Sequence, residues 1–205
     1  MSTNRLESFS DGVIAVAITL LVLNIAVPNP ATTPRLGHAL GVQWPIYAAY
    51  ATSFITIGII WVNHHVMLGR LARADRSILM LNLLLLMSIG VIPFGTALLA
   101  TYLKQGHGQN LAAGIYGAIM LVMSVAFSIL NRHILLARAD LHRDQLPHEQ
   151  RRQILFRSVT GLLPYAVATG LAAISPYVTL VICAAVAVFY ATPLGSGGAA
   201  ARPAA

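Results

Sequence analysis

Asp11 opens an apolar run, whereas the other five acidic residues, Glu7, Asp75, Asp140, Asp144 and Glu149, fall in loops or flanks. A carboxylate at hydrocarbon depth costs roughly 2.5–3.5 kcal/mol, so such a group normally faces protein, takes a partner and marks function. Suitable partners share its depth: Ser10 beside it, Trp61, Asn63, His64 and His65 at the end of a second apolar run, and Asn82 near the start of a third. With a histidine as partner, Asp11 becomes part of a proton relay. With polar donors it becomes a buried lock joining Arg5, Ser10, Asp11, Trp61, His64 or His65, and Asn82. A third reading leaves Ser10 and Asp11 as caps of a helix N-terminus. The pair His64-His65 is a poor metal site, because adjacent helical residues point about 100° apart and one carboxylate lies near. Hydrolytic chemistry is poorly supplied: one intramembrane aspartate makes no acid dyad, and Ser53 and Ser88 have no histidine or lysine at their depth. Cys183 is alone, so no intrachain disulfide or cysteine-built metal site is available.

The elements that position these residues follow from composition. Of 205 residues, 57% are hydrophobic and 9% charged, against about 25% charged in a soluble domain. The chain reads as an all-α membrane protein with six spans, at 9–27, 42–63, 78–103, 111–130, 155–174 and 177–192. Pro28, Pro30 and Pro34 punctuate the first loop. The block 155–192 is too long for one crossing, since about 20 residues cross the hydrocarbon, and Ser175-Pro176 is its natural break. Residues 1–192 form the membrane unit, and 193–205, rich in glycine and alanine, form a disordered tail.

Six crossings put both termini on one side, and the cations decide which. Arg5, Arg70, Arg73, Arg76, Arg132, Arg138, Arg143, Arg151, Arg152, Arg157 and Arg202 share the terminal side, with only Arg35 and Lys104 opposite. That asymmetry makes the termini cytoplasmic in a multi-pass protein of the plasma (inner) membrane. The net charge of +7 is thereby explained without a nucleic-acid partner. No cleavable leader is expected, because Arg5, Glu7 and Asp11 interrupt the required pattern.

On the first helix, Val16, Leu20 and Leu23 fall at i, i+4 and i+7 and share a stripe that Phe9 extends, with Leu20 and Leu23 lying within about 40° of Val16. Thr19 lies some 60° to one side of Val16, and Asp11 roughly 140° away. The stripe and the carboxylate must therefore face different neighbours. Periodicity alone allows the stripe to face lipid or to pack in the bundle.

The pattern Arg5-x-x-x-Phe9-Ser10-Asp11, opening a span that reads GVIAVAITLLVLNI, resembles the signature of the transmembrane protein 175 family of potassium channels, in its bacterial single-repeat branch. Ser53-Phe54, Trp61-x-x-His64, Asn82, Ile92-Pro93-Phe94 and the six-helix total extend the likeness across 1–192. The resemblance implies a homotetramer whose first helices line a central pore, with no re-entrant loop; no TVGYG-like filter occurs in the chain. It makes Val16, Leu20 and Leu23 the pore-facing layers, ties Thr19 to cation selectivity, and gives Arg5, Phe9, Ser10 and Asp11 to a structural network behind the pore helix. This chain departs from the family in placing valine, not isoleucine or leucine, at the first layer. Leu20 or Leu23 is then a candidate for the tighter ring.

The implied function is a potassium-permeable leak of weak to moderate selectivity, passing monovalent cations and needing no cofactor beyond the permeant ion. An apolar neck stops ions by dewetting, and no acid ring lies on the stripe. The competing reading is a proton-coupled secondary transporter using Asp11 and His64 or His65, for which helices broken near Gly90-Pro93 and Gly161-Pro164 are the sign to seek.

Overall fold

The computed structural model describes residues 3–31, 35–137, 141 and 147–192. Pro34, Arg138, Asp140, Arg143, Asp144, Arg202 and the expected tail 193–205 lie outside the described residues. Within them the chain is all helical. In order come α1 (Thr3–Leu20, prolonged by a 3-10 turn over Leu21–Asn24), α2 (Leu36–Val42), α3 (Trp44–Gly69), α4 (Arg76–Gly90), α5 (Ile92–Tyr102), α6 (Gln109–Arg132, running into a π-turn over His133–Ala137), α7 (His148–Thr160), α8 (Leu162–Leu171) and α9 (Pro176–Ala191). Five continuous helical stretches are long and apolar enough to cross a bilayer: Thr3–Asn24, Trp44–Gly69, Arg76–Tyr102, Gln109–Leu136 and Arg151–Leu171. Pro176–Ala191 is apolar but shorter.

Local chemistry sets the boundaries. Asp75, in extended backbone, accepts from the Ile78 amide at 2.8 Å and so caps α4. Gly108, with φ +70, starts α6 from a left-handed position that favours glycine. Proline sits in the opening residues of α3, α5 and α9, where a missing N–H costs nothing. The break at Ser175-Pro176 falls where expected, with Ser175 extended and Pro176 opening α9.

The two suspected helix breaks are kinks. Pro93 has no N–H to offer the carbonyl one turn earlier, so α4 stops at Gly90 and α5 restarts at Ile92. Yet the intervening Val91 keeps right-handed helical torsions (φ −86, ψ −15), as does Gly161 between α7 and α8 (φ −64, ψ −20). Neither site unwinds into the stretch of bare carbonyls from which a carrier builds an ion site.

Helix α6 is the hub and packs against α4, α5, α7, α8 and α9. Its closest approach is to α8: a Cβ added at Gly117 would stand 2.8 Å from Thr169 Oγ1 and 3.1 Å from Thr169 Cα. Helix α1 instead lies at the edge, against α3 and α4. It buries Leu6, Ser10, Ile14, Ala17 and Leu21, a stripe of period 3.6 that a packed helix requires.

Candidate functional site: the free face of the first helix and its anchors

The helix that carries the motif begins at Thr3, ahead of the apolar run, so Arg5, Glu7, Ser10 and Asp11 all lie on helical turns. They are not caps. Ser10 is fully buried and faces α4: its hydroxyl donates to the Leu6 carbonyl at 2.8 Å and accepts from Asn82 Nδ2 at 2.9 Å. Asn82 Oδ1 meets His64 Nε2 at 2.7 Å. Because the amide oxygen accepts, Nε2 carries the proton, and Nδ1 is left buried without a partner. One directional chain, His64 to Asn82 to Ser10 to Leu6, thus ties α3, α4 and α1.

Asp11 belongs to a second, separate contact. Its Oδ1 accepts from Trp61 Nε1 at 2.9 Å on the half-open flank between α1 and α3. His65, its ring 6.3 Å from that of Trp61, pairs with Glu7. The single lock expected from the sequence is therefore three ties rather than one, and two of the expected members stand apart. Arg5 is exposed and enters none of these bonds, and Phe9 is more than half exposed on the opposite side of the helix from Ile14 and Leu21. The reason is angular: with about 100° per residue, Ser10 points at α4, Asp11 at the α3 flank and Phe9 away from both. Glu7, placed in a flank by its neighbours in sequence, joins the site because the helix starts four residues before it.

The face away from the ties is apolar and uncovered. Val16, Leu20 and Leu23 are 57%, 43% and 75% exposed, with Thr19 beside them and Ser8 one turn before Gly12 on the groove they border. With Phe9, Gly12, Val13 and Gly90, the first two residues line an open groove of about 600 Å³. Thr19 donates to the carbonyls of Ala15 and Val16, both at 2.9 Å, which turns its oxygen lone pairs outward. At the far end, Asn24 Nδ2 reaches the Pro93 carbonyl at 3.4 Å, a side-chain tie between the end of this helix and the α4–α5 kink.

Sequence reading passed over two features. Ser53 Oγ stands 2.8 Å from Thr96 Oγ1 and 3.0 Å from the Tyr116 hydroxyl, a fully buried cluster joining α3, α5 and α6. Three hydroxyl side chains in three apolar runs are its only trace in the sequence, since such groups must find partners in a bilayer. The Asn24 tie leaves no trace, because it depends on where the kink falls.

The family model for the endosomal/lysosomal potassium channel TMEM175 matches residues 5–93, which hold α1 from Arg5 onward, all three ties and the kink. A potassium channel of Streptomyces collinus is 43% identical over 188 residues, covering 92% of this chain and 91% of its own. The endosomal/lysosomal proton channel TMEM175 of Gallus gallus is 34% identical over 151 residues, but the match covers only 30% of that longer protein. The crystal structure of a homolog of the lysosomal potassium-selective channel TMEM175, from Chamaesiphon minutus, superposes with a TM-score of 0.82 at 38% identity over 92% of this chain and 96% of that one. Likeness of this extent, running through the helix that bears the motif and through the helices that anchor it, means that the chain belongs to the TMEM175 family.

Proposed function

We propose that this chain is one subunit of a homotetrameric, potassium-permeable leak channel in which four copies of α1 surround the pore. The observation that carries the reading is the uncovered apolar face of α1: a helix anchored on one side to its own bundle presents Val16, Leu20 and Leu23 to whatever lies beyond the subunit. In a fourfold arrangement these residues become three aliphatic rings, and the groove beside them receives a neighbouring copy. A dehydrating neck blocks ions without contacting them and conducts when widened or wetted. Thr19, whose outward lone pairs can replace part of a hydration shell, supplies the only oxygen ring beside that stripe. Because potassium sheds its shell at lower cost than sodium, this yields weak to moderate selectivity. Membership in a channel family also sets the chain apart from enzymes.

The arrangement carries the topology read from the arginines: six crossings, with α9 the short sixth, and cytoplasmic termini in the plasma membrane. Residues 1–192 make up the channel unit. A carrier reading finds less support, because Asp11, His64 and His65 bond to Trp61, Asn82 and Glu7 respectively and not to one another.

The test is the reversal potential of the purified protein in a planar bilayer under opposed potassium and sodium gradients. A potassium-directed shift that survives collapse of the proton gradient is expected. Electrically silent or proton-dependent flux would return Asp11 and His64 to the carrier reading.

A further inference from the structure

The ties of α1 set the N-terminus of that helix beside the end of α3 and the start of α4. The Ala72 amide donates to the Leu141 carbonyl at 2.8 Å, which brings the segment after α6 to the α3–α4 loop. Asn131 and Ser128 of α6 both bond Ser158 of α7. Seven described arginines, Arg5, Arg70, Arg73, Arg76, Arg132, Arg151 and Arg152, thus gather at one end of the bundle.

Among the described residues no side chain neutralises them. Among the described residues none of these guanidinium groups makes an ion pair or a side-chain hydrogen bond, and the described carboxylates at that end have other partners: Glu7 has His65, Asp11 has Trp61, Asp75 has the Ile78 amide and Glu149 has Gln153. Arg70 is half-buried, so desolvation lowers its pKa with no anion to offset it. Arg151 Nε is buried and unpartnered. Arg76 opens α4, and Arg151 and Arg152 lie near the start of α7, where the helix dipole is positive and a cation is poorly placed for stability.

Three of these arginines share a further pattern. One helical turn toward the membrane from Arg70, Arg76 and Arg152 stands a large exposed apolar side chain, Val66, Met80 and Phe156, each about half exposed or more. A cation over an apolar side chain matches a phosphate over an acyl chain. Moreover, the chain has Lys104 as its single lysine, on the opposite side, and guanidinium forks grip phosphate through paired hydrogen bonds as an ammonium does not.

We propose that this arginine-lined end is a binding surface for anionic phospholipids, with Arg70, Arg76 and Arg152 holding headgroup phosphates and Val66, Met80 and Phe156 lying against the acyl chains. It rests on the reading that these helix ends meet one face of the bilayer. The headgroup supplies the negative charge that the described carboxylates do not bring to these arginines.

The test uses the full chain in neutral detergent, with native mass spectrometry reading adducts of phosphatidylglycerol against phosphatidylcholine. Wild type should prefer phosphatidylglycerol. Since each surface cation contributes about a fivefold preference, Arg70→Gln/Arg76→Gln/Arg152→Gln should reduce it by on the order of a hundredfold. The corresponding triple arginine-to-lysine variant keeps the charge and loses the forks, so it should fall between the two, and it carries the test if the glutamine variant does not fold. Equal preference in wild type and the lysine variant would overturn the assignment of the forks. Inorganic phosphate displacing the lipid, and raising the thermal midpoint as much, would overturn it in favour of a small-anion site. Potassium flux in phosphatidylcholine liposomes is scored separately: if wild type conducts there, the channel reading stands whatever the adducts show, and if it conducts in neither lipid, that reading fails while the lipid preference is still read.

Discussion

In the proposed pore Thr19 and Leu23 differ in what they offer a passing ion, and single substitutions separate the two. Thr19→Val keeps the shape and deletes the oxygen whose lone pairs point outward, so the potassium-to-sodium permeability ratio should fall while current persists; an unchanged ratio in bi-ionic recordings would remove Thr19 from selectivity. Leu23→Asn puts an amide into an apolar ring and should raise the leak several-fold at fixed voltage, because a wet neck no longer excludes ions. No change would mean that the stripe faces lipid. Behind the pore face, Asn82→Leu leaves the Ser10 hydroxyl and His64 Nε2 buried without each other's bridge. Each orphaned group costs about 1–3 kcal/mol, so the thermal midpoint in detergent should drop without a change in ion preference. The stripe and most of the tie residues could be read from the sequence, since helical spacing places Val16, Leu20 and Leu23 together and Asp11 apart. Which residue meets which partner could not: Glu7 pairs with His65, and Arg5 pairs with nothing among the described residues, because those outcomes depend on how α3 is rotated against α1.

At the scale of helices, hydropathy found the apolar runs, and Pro176 and the α4–α5 proline marked where direction changes. It left open whether the kinks unwind, which depends on the torsions of Val91 and Gly161. The tight crossing of α6 and α8 was equally hidden, because Gly117 looks like any glycine in an apolar helix until Thr169 is placed against it. Gly117→Ala should therefore destabilise the subunit by about 1–3 kcal/mol through overpacking against backbone, despite alanine's better helix propensity, and thermal unfolding checks it. Gly58 has nothing within 4 Å of an added Cβ, so Gly58→Ala should be neutral or stabilising in the same assay.

In the proposed tetramer, the groove beside Val16 on the edge helix α1 is where a neighbouring copy packs. Asp11→Ala, which frees α1 from Trp61, should lower the tetramer yield in light scattering far more than it alters selectivity. Intact tetramers with a shifted reversal potential would put Asp11 in the permeation path instead.

The ties of α1 are unevenly distributed along its length. Three polar contacts grip it between Glu7 and Asp11, whereas beyond them only apolar packing and one long hydrogen bond from Asn24 hold it. Leu23 lies about 18 Å from that grip, at 1.5 Å per residue. Such a helix behaves as a cantilever: directional bonds clamp the root, while apolar contacts, being non-directional, let the tip slide. Deflection grows toward the tip, so in the proposed tetramer the ring at Leu23 should fluctuate in width more than the ring at Val16, and brief flicker of the current should originate at the end farthest from the motif.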